Sequence, residues 1–185
     1  MRYTPFILLA PVVIPWVMPM AQASEYFDTA SAQRALYPSA TAFIDAKVTL
    51  SADAREKIQE LAQVKQRWEE QPVWRVEKNG EFVGWYIEDR VIGKHEFIRY
   101  AAALSPDGHV LGIEIMEYLE TYGDQVREAT WRGQFLGKTL QSQLALGKDI
   151  QNISGASLSC RNITNGVKRL LALQHVALAS PAANK

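Results

Sequence analysis

The chain has 185 residues, 20 Lys and Arg against 20 Asp and Glu, one cysteine and a mean hydropathy of −0.14. That length suits one domain with a real hydrophobic core, and the balanced charge argues against a nucleic-acid binder, which needs a surplus of cations. A single cysteine excludes an intrachain disulfide framework, a cysteine-ligated zinc site, an iron–sulfur cluster and a CxxC redox pair.

Residues 1–23 differ from the rest. They hold half of the eight prolines, three of the four methionines and one charge, Arg2. A short basic start, an apolar run from Phe6 to Met20 and Ala21-Gln22-Ala23 before Ser24 have the layout of a secretory signal peptide with an A-x-A cleavage site. The run is shorter than the roughly 20 residues of a membrane span, and Pro11, Pro15 and Pro19 interrupt it. The expectation is cleavage after Ala23 and an exported, soluble mature chain. No cysteine near the junction offers a lipid anchor.

Residues 24–70 read as helical. Ser31 is a candidate cap for a short segment that ends before Pro38, and a second segment opens at Ser51-Ala52-Asp53, with Asp53 and Glu56 at capping-box spacing. Ile58, Leu61, Ala62 and Trp68 share one helical face. From Val73 to about Tyr122 the texture turns to strands. Val73–Val76 and Phe82–Ile87 flank Asn79-Gly80, a two-residue hairpin signal. Phe97–Leu104 and Val110–Leu119 flank the turn Ser105-Pro106-Asp107-Gly108, and Ile113, Ile115, Glu117 and Leu119 are expected on one face. An antiparallel meander of at least four strands results.

Beyond Gly123 the chain is punctuated by glycine. Trp131, Phe135 and Leu136 offer an apolar face, and a last helix is expected from about Ile163 to His175, burying Ile163, Val167, Leu170 and Leu171. The tail 179–185 is small and polar and is expected to fray. The fold class is therefore α+β: a small antiparallel sheet with N-terminal helices and a C-terminal helix. Its organisation is a signal peptide over 1–23, a helical segment over 24–70, a domain over 71–178 and a disordered tail.

Most chemical motifs are missing. His95, His109 and His175 have no metal-site spacing, Cys160 reads as a packing thiol, and neither GxSxG, Walker A, HExxH nor GxGxxG occurs. The stretch Lys148–Arg161 stands out, placing Ser154, Ser157 and Ser159 beside Gly155 and Ala156 just before an amphipathic helix. One account is a helix N-cap by Ser157, Ser159 or Asn162. Another is a phosphate site: small residues admit another molecule to the backbone, a hydroxyl offers an attachment point, and the helix N-terminus favours an anion.

Ser154-Gly155-Ala156-Ser157-Leu158-Ser159 resembles the S/T-G-A-T/S-x-S/T motif of the FMN-binding domain family. That family includes the periplasm-facing flavin subunits of the Rnf and sodium-pumping NADH:quinone oxidoreductase complexes. The lead-in Gly147-Lys148-Asp149-Ile150, Arg161 and Thr164–Val167 resemble the family's surroundings, as does Glu120-Thr121-Tyr122-Gly123-Asp124, a segment such domains place near the flavin. Gln151 stands where many members carry Asp. The resemblance implies FMN as cofactor, moved from FAD by a separate Mg-dependent flavin transferase and held by a phosphoester to Ser157. It adds Ser154, Gly155, Ala156, Ser159, Thr121, Tyr122 and Trp131 as flavin-binding candidates, with Phe135 as a further stacking ring and Lys168 or Arg161 offsetting the phosphate charge. The implied protein is an exported, periplasmic electron carrier without substrate turnover of its own, exchanging electrons with a membrane redox protein or complex. Two other readings stay open: a non-covalent FMN-binding protein of the same fold, and a redox-silent exported domain that binds a ligand or protein in the same groove.

Overall fold

The computed structural model describes residues 24–178. The expected signal peptide and the tail 179–185 lie outside them. No helix among the described residues is long and apolar enough to cross a membrane.

Four long strands form the centre: β5 (Val73–Lys78), β6 (Glu81–Ile92), β7 (Phe97–Leu104) and β8 (Val110–Tyr118), each antiparallel to the next. Asn79 and Gly80 both have positive φ, 53° and 83°, and make the tight β5–β6 turn that their sequence specifies. The β7–β8 connection closes through the Gly108 N–H donating to Ser105 C=O at 3.1 Å. Short strands extend this meander at both edges. β1 (Ser24–Glu25) pairs with β8, and β2 (Ala42–Asp45) pairs with β5, giving the order β1-β8-β7-β6-β5-β2. β3 (Val48–Thr49) and β4 (Glu70–Gln71) form a separate two-stranded ribbon.

The N-terminal segment thus corrects an all-helical expectation. It contains helices α1 (Thr29–Leu36) and α2 (Ala52–Ala62), but short strands lie between and beside them. Four residues such as Ala42–Asp45 carry too little alternation to announce a strand; the free edge of β5 recruits them. The caps also move. Asp28, not Ser31, caps α1 by accepting the Ser31 N–H at 2.7 Å, and Ser51 caps α2 by accepting the Ala54 N–H at 3.1 Å. Gln63, left-handed at φ 55°, ends α2 before Trp68, which lies under the Arg90 guanidinium instead of on the helix.

After the short helix α3 (Ala129–Arg132), the 21-residue helix α4 (Ser157–Ala177) lies across one face of the sheet, on β6 and β7, with α2 packed alongside it. It begins six residues before the expected start. Ile163, Val167 and Leu170 are fully buried there, with Ile87, Ile98, Tyr100 and Phe135, and Leu171 is nearly so. Gly166 sets the close approach: a Cβ at that position would overlap the Tyr100 hydroxyl. Beside it Arg169 forms a buried ion pair with Asp89, and the Tyr100 hydroxyl donates to Asp89 Oδ2 at 2.7 Å. α1 covers part of the opposite face, where Ala32, Tyr37, Val76, Tyr86 and Met116 make a smaller core.

A bulge in β8 has functional weight. Tyr100 pairs with Ile115 but Arg99 pairs with Glu117, so Met116 is the extra residue. The expected alternation through Glu117 and Leu119 is broken. Glu117 turns toward Arg99 on the opposite face, and Tyr118 joins the core beneath α4.

Candidate functional site

The first turn of α4 meets the segment after β8 at a cleft of about 430 Å³. Its walls are Lys94 and His95 from the β6–β7 hairpin, Glu120-Thr121-Tyr122 after β8, and Gly155 to Ser159. That volume lies within the usual range for small-molecule sites. The two sequence segments singled out above, 30 residues apart, therefore form opposite walls of one cleft.

Contact between the walls depends on small residues. Gly123 has φ 92°, and a Cβ there would collide with that of Ala156, which is 3% exposed. Gly155, φ 83°, turns the chain into the helix beside open space. Below them Tyr118 acts as a post. Its hydroxyl donates to Tyr122 C=O at 2.6 Å and lies 3.3 Å from the Ser159 hydroxyl, in a buried position that raises the phenol's pKa. Tyr118 was not legible as a site residue, because only the bulge at Met116 turns it to this side.

The helix start is chemically open. Ala156 occupies the N-cap position and no side chain caps α4, so neither Ser157, Ser159 nor Asn162 has the capping role expected of it. Asn162 instead donates to Ile92 C=O at 2.7 Å and ties α4 to the end of β6. An uncapped N-terminus of a long helix leaves backbone N–H donors and the positive end of its dipole available to an anion. Ser157 is half-buried at this point, its Oγ accepting from Asn152 Nδ2 at 2.9 Å. Ser154 and Gly155 are exposed, Ala156 and Ser159 buried.

The opposite wall offers an aromatic face, since Tyr122 is 78% exposed. Thr121 is exposed beside it. Glu120 organises the hairpin across the cleft: its Oε1 accepts the N–H groups of His95 at 2.6 Å and Glu96 at 3.0 Å. Burial acts to raise the pKa of Glu120, but the N–H groups of Glu96, His95 and Lys94 outweigh it and hold the carboxyl below its ordinary value. Asp149 does similar work on the approach to α4. Burial acts against its charge, yet the N–H groups of Ala145 and Leu144 and the Lys138 ammonium at 2.9 Å keep its pKa low.

Four expected residues stand elsewhere. Trp131 is 5% exposed and packs edge-on against the fully buried Phe135, ring centroids 5.1 Å apart. Its Nε1–H donates to Gln151 C=O at 2.9 Å, so it braces the loop before α4 instead of lining the cleft. Gln151 N–H in turn donates to Gln134 Oε1 at 2.7 Å. Phe135, in the 3-10 turn that follows the Trp131 helix, is likewise part of the main core. Neither Arg161, exposed on α4, nor Lys168 is part of the cleft wall. The cation that does border it is Lys94, which nothing in the sequence singled out, since its place depends on how the β6–β7 hairpin folds. His95 comes to the wall by the same route.

The sequence model of the FMN-binding domain family matches residues 93–172, from the β6–β7 hairpin through most of α4. Among solved structures, the chain resembles the crystal structure of Shewanella oneidensis NqrC. The TM-score is 0.53 at 15% identity, over 79% of this chain and 88% of that one. At that identity the likeness establishes a common α+β fold. No curated protein matches the chain significantly.

Proposed function

Starting from an FMN-binding domain over residues 93–172 with FMN as its cofactor, we propose that this protein is an exported electron carrier whose FMN is esterified to Ser157. Bound FMN supplies the redox chemistry, accepting and releasing electrons one or two at a time. The chain's own residues hold and orient it.

The observation that carries the reading is the position of Ser157. Its hydroxyl stands at an uncapped helix N-terminus, at the edge of a cleft large enough for a cofactor and faced by an exposed aromatic ring. The helix N–H groups and Lys94 would hold the phosphate, and Gly155 leaves room for it. Tyr122 would stack on the ring system, with Thr121 in reach as a hydrogen-bonding group. Ser154, Ala156 and Ser159 shape the turn; Ser159 is buried against Tyr118 and is the least suited of the three hydroxyls to attachment.

Esterification joins the Ser157 oxygen to the FMN phosphorus of FAD, breaks the pyrophosphate bond, and releases AMP, whose leaving phosphate oxygen takes up the hydroxyl proton. A separate Mg-dependent flavin transferase would perform this step. The tether keeps flavin at an effective concentration on the order of millimolar, a benefit in a compartment where free flavin is scarce. Residues 1–23 would direct the chain to the periplasm, where a membrane electron-transfer protein or complex is the partner.

Intact mass of the exported chain, made together with a transferase, tests this. The expected result is one FMN less one water on the wild type and no adduct on Ser157→Ala. Flavin that leaves on denaturation would reduce the reading to non-covalent binding, and colourless protein would end it. An adduct that survives Ser157→Ala but disappears in Ser154→Ala or Ser159→Ala would move the attachment point.

A further inference from the structure

Another concave site lies beside the β6–β7 hairpin. It encloses about 280 Å³ between the loop after α2, the end of β6, the start of β7 and the middle of α4. Its lining contains Lys65, Arg67, Arg90 and Arg169 and no carboxylate. Among the described residues, Lys65, Arg67 and Arg90 have no salt bridge, although this chain has as many acidic residues as basic ones. Position after the C-terminus of α2 accounts for the sign of Lys65, since cations suit that end of a helix. It does not account for Arg67 and Arg90 beside it; of the four, Arg169 is paired, with Asp89, and the low-dielectric walls of the hollow concentrate the potential of the rest.

Asn162 and Asn165 of α4 also line the hollow, and the rest of its wall is apolar. Val64, Val91 and Trp68 contribute, and Ile92 and Phe97 leave 50% and 45% of their surfaces exposed. The Arg90 guanidinium lies 4.1 Å from the Trp68 ring centroid and 5.5 Å from that of Phe97. A guanidinium held over an aromatic ring can still offer its N–H groups to a planar, two-oxygen acceptor. Arg169 borders the same hollow. It is 95% buried, and though one Nη meets Asp89, its Nε–H has no acceptor. A buried donor without a partner is costly, and Asp89 Oδ1 of the same ion pair is unpartnered too.

We propose that this hollow is a binding site for an organic carboxylate with an apolar body of one or two rings. The carboxylate would take the edge of Arg90 and the field of Lys65, Arg67 and Arg169, and the body would cover Ile92, Phe97 and Trp68. The site is independent of flavin attachment, although the same hairpin walls both.

Calorimetric titration of the full chain with 2-naphthoate tests the proposal, with acetate and 2-naphthylmethylammonium as probes that keep only the charge or only the body. The expected result is one naphthoate per chain, with acetate and the ammonium at least about tenfold weaker. Arg90→Gln should weaken naphthoate at least about tenfold, and the exposed pair Lys65→Glu and Arg67→Glu, which cannot disturb the core, should weaken it further. The Trp68 indole and Asn165 amide NMR signals should shift on binding. The proposal falls if naphthoate does not bind, if the ammonium binds equally well, if both variants bind as the wild type does, or if the shifts map to another surface. Ser157→Ala should bind naphthoate unchanged, so failure here and failure of flavin attachment are read separately.

Discussion

The first and third turns of α4 belong to one helix but obey different rules. Around Gly166 and Arg169 the helix is buried tightly against the sheet: a missing Cβ admits the Tyr100 hydroxyl, and a guanidinium meets Asp89. Around Ser157 the helix has no side-chain cap, a half-exposed hydroxyl and a glycine turn bordering open space. The middle of the helix fixes where its start must be, and the start keeps groups that the core has no use for. An open helix start can be left unsatisfied because rigidity comes from elsewhere.

The largest effect should follow from breaking the buried turn. Arg169→Ala leaves the Asp89 carboxylate, 1% exposed, without its cation. Stability should fall by about 3–5 kcal/mol, with Tm lower by on the order of 10 °C, measured by calorimetry with or without flavin. Gly123→Ala comes next. Its new methyl meets Ala156 at a positive-φ position, so about 1–3 kcal/mol should be lost in denaturant titration, together with flavin loading. Gly155→Ala shares the backbone strain but meets nothing and should cost only about 1 kcal/mol.

A smaller effect is one of pH. Glu120 and Asp149 have folded pKa values below their ordinary ones. Their contribution is therefore complete above the unfolded pKa and is lost as pH falls through the folded value. Hydrogen exchange at the His95 and Glu96 amides, corrected for intrinsic rate, should show lower protection as pH falls below about 5, while the amides of β7 keep theirs. Glu120→Gln should remove that pH response at a cost under about 1 kcal/mol, since the site is largely solvated. The smallest change in stability belongs to Ser157→Ala. It loses one exposed hydrogen bond to Asn152, and stability should stay within about 0.5 kcal/mol of wild type, although the flavin adduct should vanish. A large stability loss there would contradict the separation of the two turns.

Parts of this arrangement were legible at the start. Asn79-Gly80 announced its hairpin because only residues tolerant of positive φ make that turn. Ile163, Val167, Leu170 and Leu171 announced a buried helical face through their spacing alone. The small and hydroxyl residues of 154–159 and the Glu120–Asp124 segment were visible as patterns, and they do share one cleft. Short strands were not visible, because two to four residues have no period and take their pairing from a neighbour's free edge. Trp131 and Phe135 look alike as core or as stacking rings, and only burial assigns them to the core.

The sequence by itself determined the class of fold, the order of the central strands and the two segments that line the cleft. These rest on local chemistry: turn residues, periodicity, and small residues next to hydroxyls. Tertiary structure decided what surrounds those segments. The bulge at Met116 turned Tyr118 under the cleft, the hairpin brought Lys94 and His95 to its rim, and burial of Arg169 set the helix beneath them. Each depends on register and close approach between segments far apart in the chain, and no local pattern encodes them.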